Sequence, residues 1–252
     1  MRLPGYGIAV LLVLHVALAG EVYFNDFNGP LGSAYPEWTS TGFRNTANAA
    51  ATVPGGAGPQ PVSNTDSANT AQRFLGEFGG PRILPAPPYD PQHFVDVTQT
   101  VTLTLPNLTP HSTARVEFDL YVLKSWDGKN PNYGPDRWSL RVEGGSILLD
   151  AAFSNNFKTR PYDLSLQDYP HTGSPPQSGA IAANTLGYKF FGDSVYHLSF
   201  SFPHNAATLV LHFSSSLFEG KGVEDESWGL DNVRVSTGSS ARSGASAAPG
   251  EK

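Results

Sequence analysis

From Val95 to Leu105 the odd positions read Val95, Val97, Gln99, Val101, Leu103 and Leu105, with Asp96 and four threonines between them. Successive side chains of a strand point to opposite faces, so alternation with period two marks a strand with one buried and one wet face. The same alternation sets Ala114, Val116, Phe118, Leu120 and Val122 against Arg115, Glu117, Asp119 and Tyr121. It recurs over Trp138–Val142, Tyr196–Phe202 and Leu209–Phe213, and strands with one wet face are antiparallel in character. Further strands are predicted at Val22–Phe27, Ile147–Phe153 and Trp228–Val235, and no segment carries a run at helical spacing. Pro106–His111 and Pro203–Ala207 are of hairpin length and rich in turn residues. The pattern predicts an all-β fold, an antiparallel jelly-roll-like β-sandwich with long irregular loops. Residues 44–72 and 155–192 carry no pattern, and loops of that length are functional or mobile.

The two ends read differently. Arg2, the apolar stretch Gly7–Val16 and the small residues of Ala17-Leu18-Ala19 predict a signal peptide over 1–19, cleaved before Gly20. Counted from Tyr6 to Gly20, that stretch is shorter than the ~20 residues a membrane span needs. The Ser-, Ala- and Gly-rich residues 236–252 read as a disordered tail, which leaves 20–235 as a single β-sandwich domain. Composition narrows the classes. With 26 Gly and 21 Pro, long helices are excluded, and a net charge of −6 gives no excess of cations for a nucleic acid. No cysteine is present, so an exported domain of this kind must hold itself together by its core alone. The expected location is secreted, extracellular or cell envelope, with no membrane span after the signal is removed.

Candidate chemistry is sparse. The chain has no His-Glu-x-x-His, no Gly-x-Ser-x-Gly and no phosphate-cradling glycine loop. Glu117-Phe118-Asp119 begins the Glu-x-Asp-x-x-Glu pattern of jelly-roll glucanases, but Val122 stands where the second Glu belongs. Glu117 and Asp119 then read as a solvated strand face. The histidines lie at no metal-ligand spacing, and His197 and His212 fall in polar phases of their strands. The connection Ser125–Asp136 combines Trp126 and Tyr133 with Asp127 and Asp136. Aromatic faces beside carboxylates suit a sugar-binding surface, since ring CH groups stack and hydroxyls take the hydrogen bonds. The plainer reading is a long hairpin loop made of turn residues. Trp138, in phase with Leu140 and Val142, belongs to the core.

Two further phrases carry a resemblance. Tyr23-Phe24-Asn25-Asp26-Phe27-Asn28-Gly29, followed by Trp38, and Trp228-Gly229-Leu230-Asp231-Asn232-Val233-Arg234-Val235 resemble the first and last strands of galactose-binding-like jelly rolls. That group includes carbohydrate-binding modules and MAM-type adhesion domains. The closing phrase is also similar to that of many exported bacterial proteins with a C-terminal PEP-type sorting signal, although no Pro-Glu-Pro, apolar span or basic end follows Val235. The resemblance implies adjacent first and last strands with a structural calcium between them. Carried over by position, it implicates Asp26 and Asp231, with Asn28 where MAM domains often have Glu. The function it implies is a non-catalytic secreted module that binds an extracellular glycan or another surface component. Two alternatives stand beside it: a jelly-roll polysaccharide lyase or hydrolase, and a structural surface or matrix protein whose loops make protein contacts.

Overall fold

The computed structural model describes residues 20–29, 35–41, 50–52, 73–83, 94–156, 165–188 and 191–239. Twelve strands and no helix occur among them: β1 (Gly20–Asn25), β2 (Trp38–Thr41), β3 (Ala50–Thr52), β4 (Arg73–Phe78), β5 (Val97–Leu105), β6 (Thr113–Lys124), β7 (Arg137–Val142), β8 (Ile147–Ala152), β9 (Ala182–Ala183), β10 (Asp193–Pro203), β11 (Leu209–Leu217) and β12 (Glu226–Gly238). One sheet runs β3-β4-β12-β6-β10-β9, with β1 also on β12, and the other runs β2-β5-β11-β7-β8. Every pairing is antiparallel. The fold is an all-β sandwich. First and last strands lie side by side, from Gly20 opposite Thr237 to Asn25 opposite Val233.

Three expectations need correction. Pro106–His111 and Pro203–Ala207 are not hairpin turns, because β5 and β6 lie in different sheets, as do β10 and β11. Each arches over the edge of the sandwich, so that both strands point their apolar faces into one core. The sequence stretches without a pattern contain the short strands β3 and β9. The last strand also passes the expected boundary at 235: Ser236, Thr237 and Gly238 pair with Arg115, Ala114 and Thr113. The expected signal peptide over 1–19 and the tail from 240 lie outside the described residues.

The core between the sheets is aromatic. Phe118 meets Phe213 edge to face at 5.4 Å, Trp138 meets Trp228 at 6.0 Å, and Trp228 meets Phe78 at 4.9 Å. Such pairs add about 0.5–1.5 kcal/mol each beyond the area they bury. Trp38, Trp126, Trp138 and Trp228 are all essentially inaccessible. A second, smaller cluster of Phe74, Tyr121, Leu123, Leu186, Tyr188 and Val195 covers the outer face of the larger sheet at one end. The alternation of β6 therefore gives way to continuous burial from Phe118 to Leu123. Tyr121 and Asp119, in the phase expected to be wet, are buried there.

Candidate functional site

The two ends of the sandwich differ. At one end the connections are short arches and turns. At the other, residues 79–83, 94–96, 125–136, 153–156, 165–188, 191–192 and 218–225 converge, tied by backbone bonds such as Ser125 N to Asp225 O (2.9 Å), Ile83 N to Gly220 O (2.8 Å) and Asn155 N to Trp126 O (2.9 Å). They enclose a cavity of about 400 Å³ whose walls include Arg82, Asp127, Tyr133, Asn156, Lys221 and Asp225.

The four residues expected to bind a ligand separate. Trp126 is wholly buried, and its Nε1 donates to Ser227 O (2.8 Å). It presents no face on which a sugar could stack, because the 125–136 connection crosses between sheets and turns this ring into the core. Tyr133 is 41% exposed at the cavity, backed by Phe94 at 6.4 Å. Asp127 lies in the cavity wall, and its Oδ1 accepts Asn156 Nδ2 (2.6 Å). Asp136 lies beneath, with Oδ2 accepting Asp127 N (2.5 Å) and Oδ1 accepting Phe218 N (3.1 Å). It clips the 125–136 connection to the one that follows β11.

Strand phase explains the layer beneath the cavity. Two residues before the inward-facing Trp138 of β7 comes Asp136. Two after the inward-facing Leu217 of β11 comes Glu219, and two before Trp228 of β12 comes Glu226. Each carboxylate continues an inward phase past the last apolar side chain, and all three are buried. One oxygen from each of Asp127, Glu219 and Glu226 lies within 4.8 Å of the other two. Burial drives the Asp136 carboxyl well above the ordinary range, against the two backbone amides that favour its charged form. Burial, then the fields of Asp136, Asp225, Glu219 and Asp127, does the same to Glu226. Glu219 is pushed up to about 8, chiefly by burial, although the Lys221 ammonium opposes the rise. Lys221 Nζ lies 2.6 Å from Glu219 Oε1 and 3.2 Å from Asp225 Oδ2. Sequence motifs missed Glu219, Lys221, Asp225 and Glu226. The available signal was a glutamate two residues from Trp228, in the phase that faces the core.

The residues implicated in calcium by resemblance lie elsewhere, at the β1/β12 edge. Asp231 Oδ2 accepts the Tyr121 hydroxyl (2.8 Å), and its Oδ1 accepts Asn232 N (2.8 Å). Asn28 Oδ1 accepts Arg73 N (3.3 Å), and Asp26 Oδ1 accepts Asn28 N (3.2 Å). Each of these oxygens already accepts a hydrogen bond from the protein. Asn232 adopts a positive φ of 51° at a β-bulge, a conformation asparagine tolerates, and its Nδ2 donates to Asp119 Oδ2 (2.8 Å). Asp119 and Glu117 are not a bare solvated face either, since His197 bridges them at 2.8 and 3.1 Å.

No protein-family model and no curated protein sequence matches the chain. Among the solved structures that are distantly similar, three illustrate the likeness. The K3 cleaved adhesin domain of Lys-gingipain from Porphyromonas gingivalis W83 is 13% identical, with 87% of this chain and all of that one covered at a TM-score of 0.37. Dimeric latent PorU from the same organism is 16% identical, with 55% and 10% covered at 0.31. A family GH115 4-O-methyl-α-glucuronidase is 13% identical, with 56% and 14% covered at 0.27. The chain thus spans about a tenth of PorU and a seventh of the glucuronidase. Likenesses this remote carry neither fold nor function, which rest on the geometry above.

Proposed function

We propose that this chain is a non-catalytic, exported β-sandwich module that binds an extracellular glycan or a similar polyhydroxylated surface component at the loop end of the sandwich. The observation that carries the reading is Tyr133, an exposed ring beside Asp127 and Asn156 at the mouth of a cavity. A ring face for sugar CH groups, next to carboxylate and amide acceptors and donors, is what a saccharide needs. Arg82, Lys221 and Glu224 add charges of both signs around it.

One observation favours the enzyme alternative: a buried carboxyl with a raised pKa, Glu219, lies next to Asp127 and Glu226. Glycosidic acid–base pairs stand roughly 5–9.5 Å apart, flanking the bond they cleave. Here the oxygens lie within 4.8 Å, and Glu219, in the cavity wall, and Glu226, behind it, have almost no accessible surface. They are too close and too deep to straddle a sugar.

Retention on insoluble polysaccharides and glycan arrays tests the proposal. Wild type should be retained, and Tyr133→Ala should bind at least about tenfold more weakly, a loss of about 1.4 kcal/mol, with an unchanged melting temperature. Release of reducing or unsaturated ends would replace the reading with the enzyme one. Absence of glycan binding together with concentration-dependent self-association would replace it with the structural one.

A further inference from the structure

At the wall and base of the cavity five carboxyl groups, Asp127, Asp136, Glu219, Asp225 and Glu226, crowd together, and one ammonium, Lys221, reaches two of them, Glu219 and Asp225. Their hydrogen bonds are unequally distributed. Asp136 spends both oxygens on backbone amides, Asp127 takes Asn156, and Glu219 takes Lys221. Glu226 is 3% exposed, and among the described residues no N–H or O–H donor reaches its Oε1. A buried carboxylate oxygen without a donor has lost the solvation that water gave it and is stabilised when something positive approaches it. That orphaned oxygen belongs to a side chain that also contributes to the triad of oxygens within 4.8 Å.

The triad has the dimensions of one coordination sphere. Oxygens bind Ca²⁺ at roughly 2.3–2.6 Å, so two of them on opposite sides of the ion stand up to about 5 Å apart. Mg²⁺ demands six oxygens in strict octahedra at roughly 2.0–2.1 Å, and Zn²⁺ favours the nitrogen and sulfur ligands that the triad lacks, whereas Ca²⁺ accepts an irregular oxygen set. From this geometry we infer that Asp127, Glu219 and Glu226 form a calcium site that fastens the 125–136 connection to the start of β12 at the cavity wall. Lys221 is the competitor for Glu219. It lies in the cavity wall, and its flexible stem allows the ammonium to swing toward solvent when the ion enters. The site shares Asp127 and Glu219 with the cavity wall, and it is separate from Asp26 and Asp231 at the β1/β12 edge.

The test uses the full chain, stripped with chelator and then titrated with calcium while melting temperature and Tb³⁺ luminescence are followed. The nearby Trp126 and Tyr133 serve to sensitise the lanthanide. Calcium at a hundred times its dissociation constant should raise the midpoint by about 5–10 °C for a domain of this size. Magnesium at the same concentration should not. Glu226→Gln keeps the shape of the side chain and removes one charge from the cluster. In chelator it should therefore melt no lower than wild type, and it should lose both the calcium shift and the Tb³⁺ signal. Glu219→Gln should also lose them, whereas Lys221→Met should tighten calcium binding. A wild-type midpoint that ignores calcium, without Tb³⁺ luminescence, overturns the inference. So does a calcium shift that survives in both glutamine variants, including the case where it vanishes in Asp231→Asn and thereby moves the ion to the β1/β12 edge.

Discussion

The Phe74 ring lies across two glycines of neighbouring strands. A Cβ on Gly76 would stand 2.6 Å from its Cε2, and a Cβ on Gly229 would collide with the same ring. The ring cannot retreat freely, because it packs on Tyr121 at 5.2 Å, inside the cluster that covers the outer face of the sheet. Gly229→Ala should therefore cost about 1–3 kcal/mol, the usual penalty of overpacking, in urea unfolding. A loss under about 0.5 kcal/mol, the range of a neutral surface change, would mean that the ring has somewhere to go. On the same outer face, His197 is raised above the ordinary imidazole value, first by its hydrogen bond to Asp119, against some burial, and then by Glu117. Because the folded state holds the proton more tightly, the stabilisation is complete below the unfolded pKa of about 6.5 and disappears as pH rises through the higher folded value. With the ring half exposed, it should amount to less than about 1 kcal/mol. An NMR titration should find the His197 midpoint above the ordinary imidazole value, and Asp119→Asn should bring it down. A His197 midpoint unmoved by that change would remove Asp119 as the cause.

At the scale of elements, alternation showed the strands that have one wet face and little else. β5 and β11 alternate along their whole length and were legible residue by residue. β6, β10 and β12 lose the alternation where the outer cluster covers them, so Asp119 and Tyr121 read as wet although both are buried. β2, β3, β4 and β9 are too short, or too rich in Gly and small residues, to display a period. Strand partners were not legible either, since the arches at 106–112 and 204–208 have the length and composition of hairpins. Of the site, Asp127, Tyr133 and Asp136 were found through loop chemistry, while Trp126 was misplaced because an aromatic in a loop carries no phase. Glu219 and Glu226 were legible only as extensions of the inward phases of β11 and β12. The long 153–192 connection is held by a side chain that no motif flagged. Asn155 Nδ2 donates to Val122 O (2.9 Å) and Lys124 O (3.1 Å), and its Oδ1 accepts Ser194 Oγ (2.5 Å). Asn155→Ala takes a donor from Val122 O and the acceptor from the Ser194 hydroxyl, while Lys124 O keeps the Trp126 N–H, and it should cost about 1–3 kcal/mol. A denaturant midpoint equal to wild type would show that water reaches the gap and replaces the amide.

For the whole molecule, the last strand is the one on which the larger sheet is assembled. One edge of β12 pairs with β6 from Glu226 to Gly238, and the other pairs with β4 through Trp228–Leu230 and with β1 through Val233–Thr237. Without it, β4 and β1 have no hydrogen-bonded link to β6, and Trp228, Leu230, Val233 and Val235 leave the core. The pairing of Gly20 with Thr237 joins residues at opposite ends of the described chain, so loop closure is slow and the sandwich belongs with folds that take milliseconds to seconds. The carboxylate layer adds to this dependence, since Glu226 arrives with β12 and Trp126 finds its only indole acceptor at Ser227 O. A chain ending at residue 225 should then fail to fold as a cooperative unit, even though it retains eleven of the twelve strands. Its melt should be broad, and the fluorescence of Trp38, Trp126 and Trp138 should move to the red as Trp138 loses the ring of Trp228 and Trp126 loses its acceptor. Adding residues 226–239 as a separate peptide should restore a blue-shifted emission and a sharp transition, because backbone pairing along three strands is available to it in trans. A chain ending at 225 that unfolds in one steep transition, with tryptophans already shielded, would show that β6 and β10 nucleate a stable sandwich alone and that β12 merely completes it.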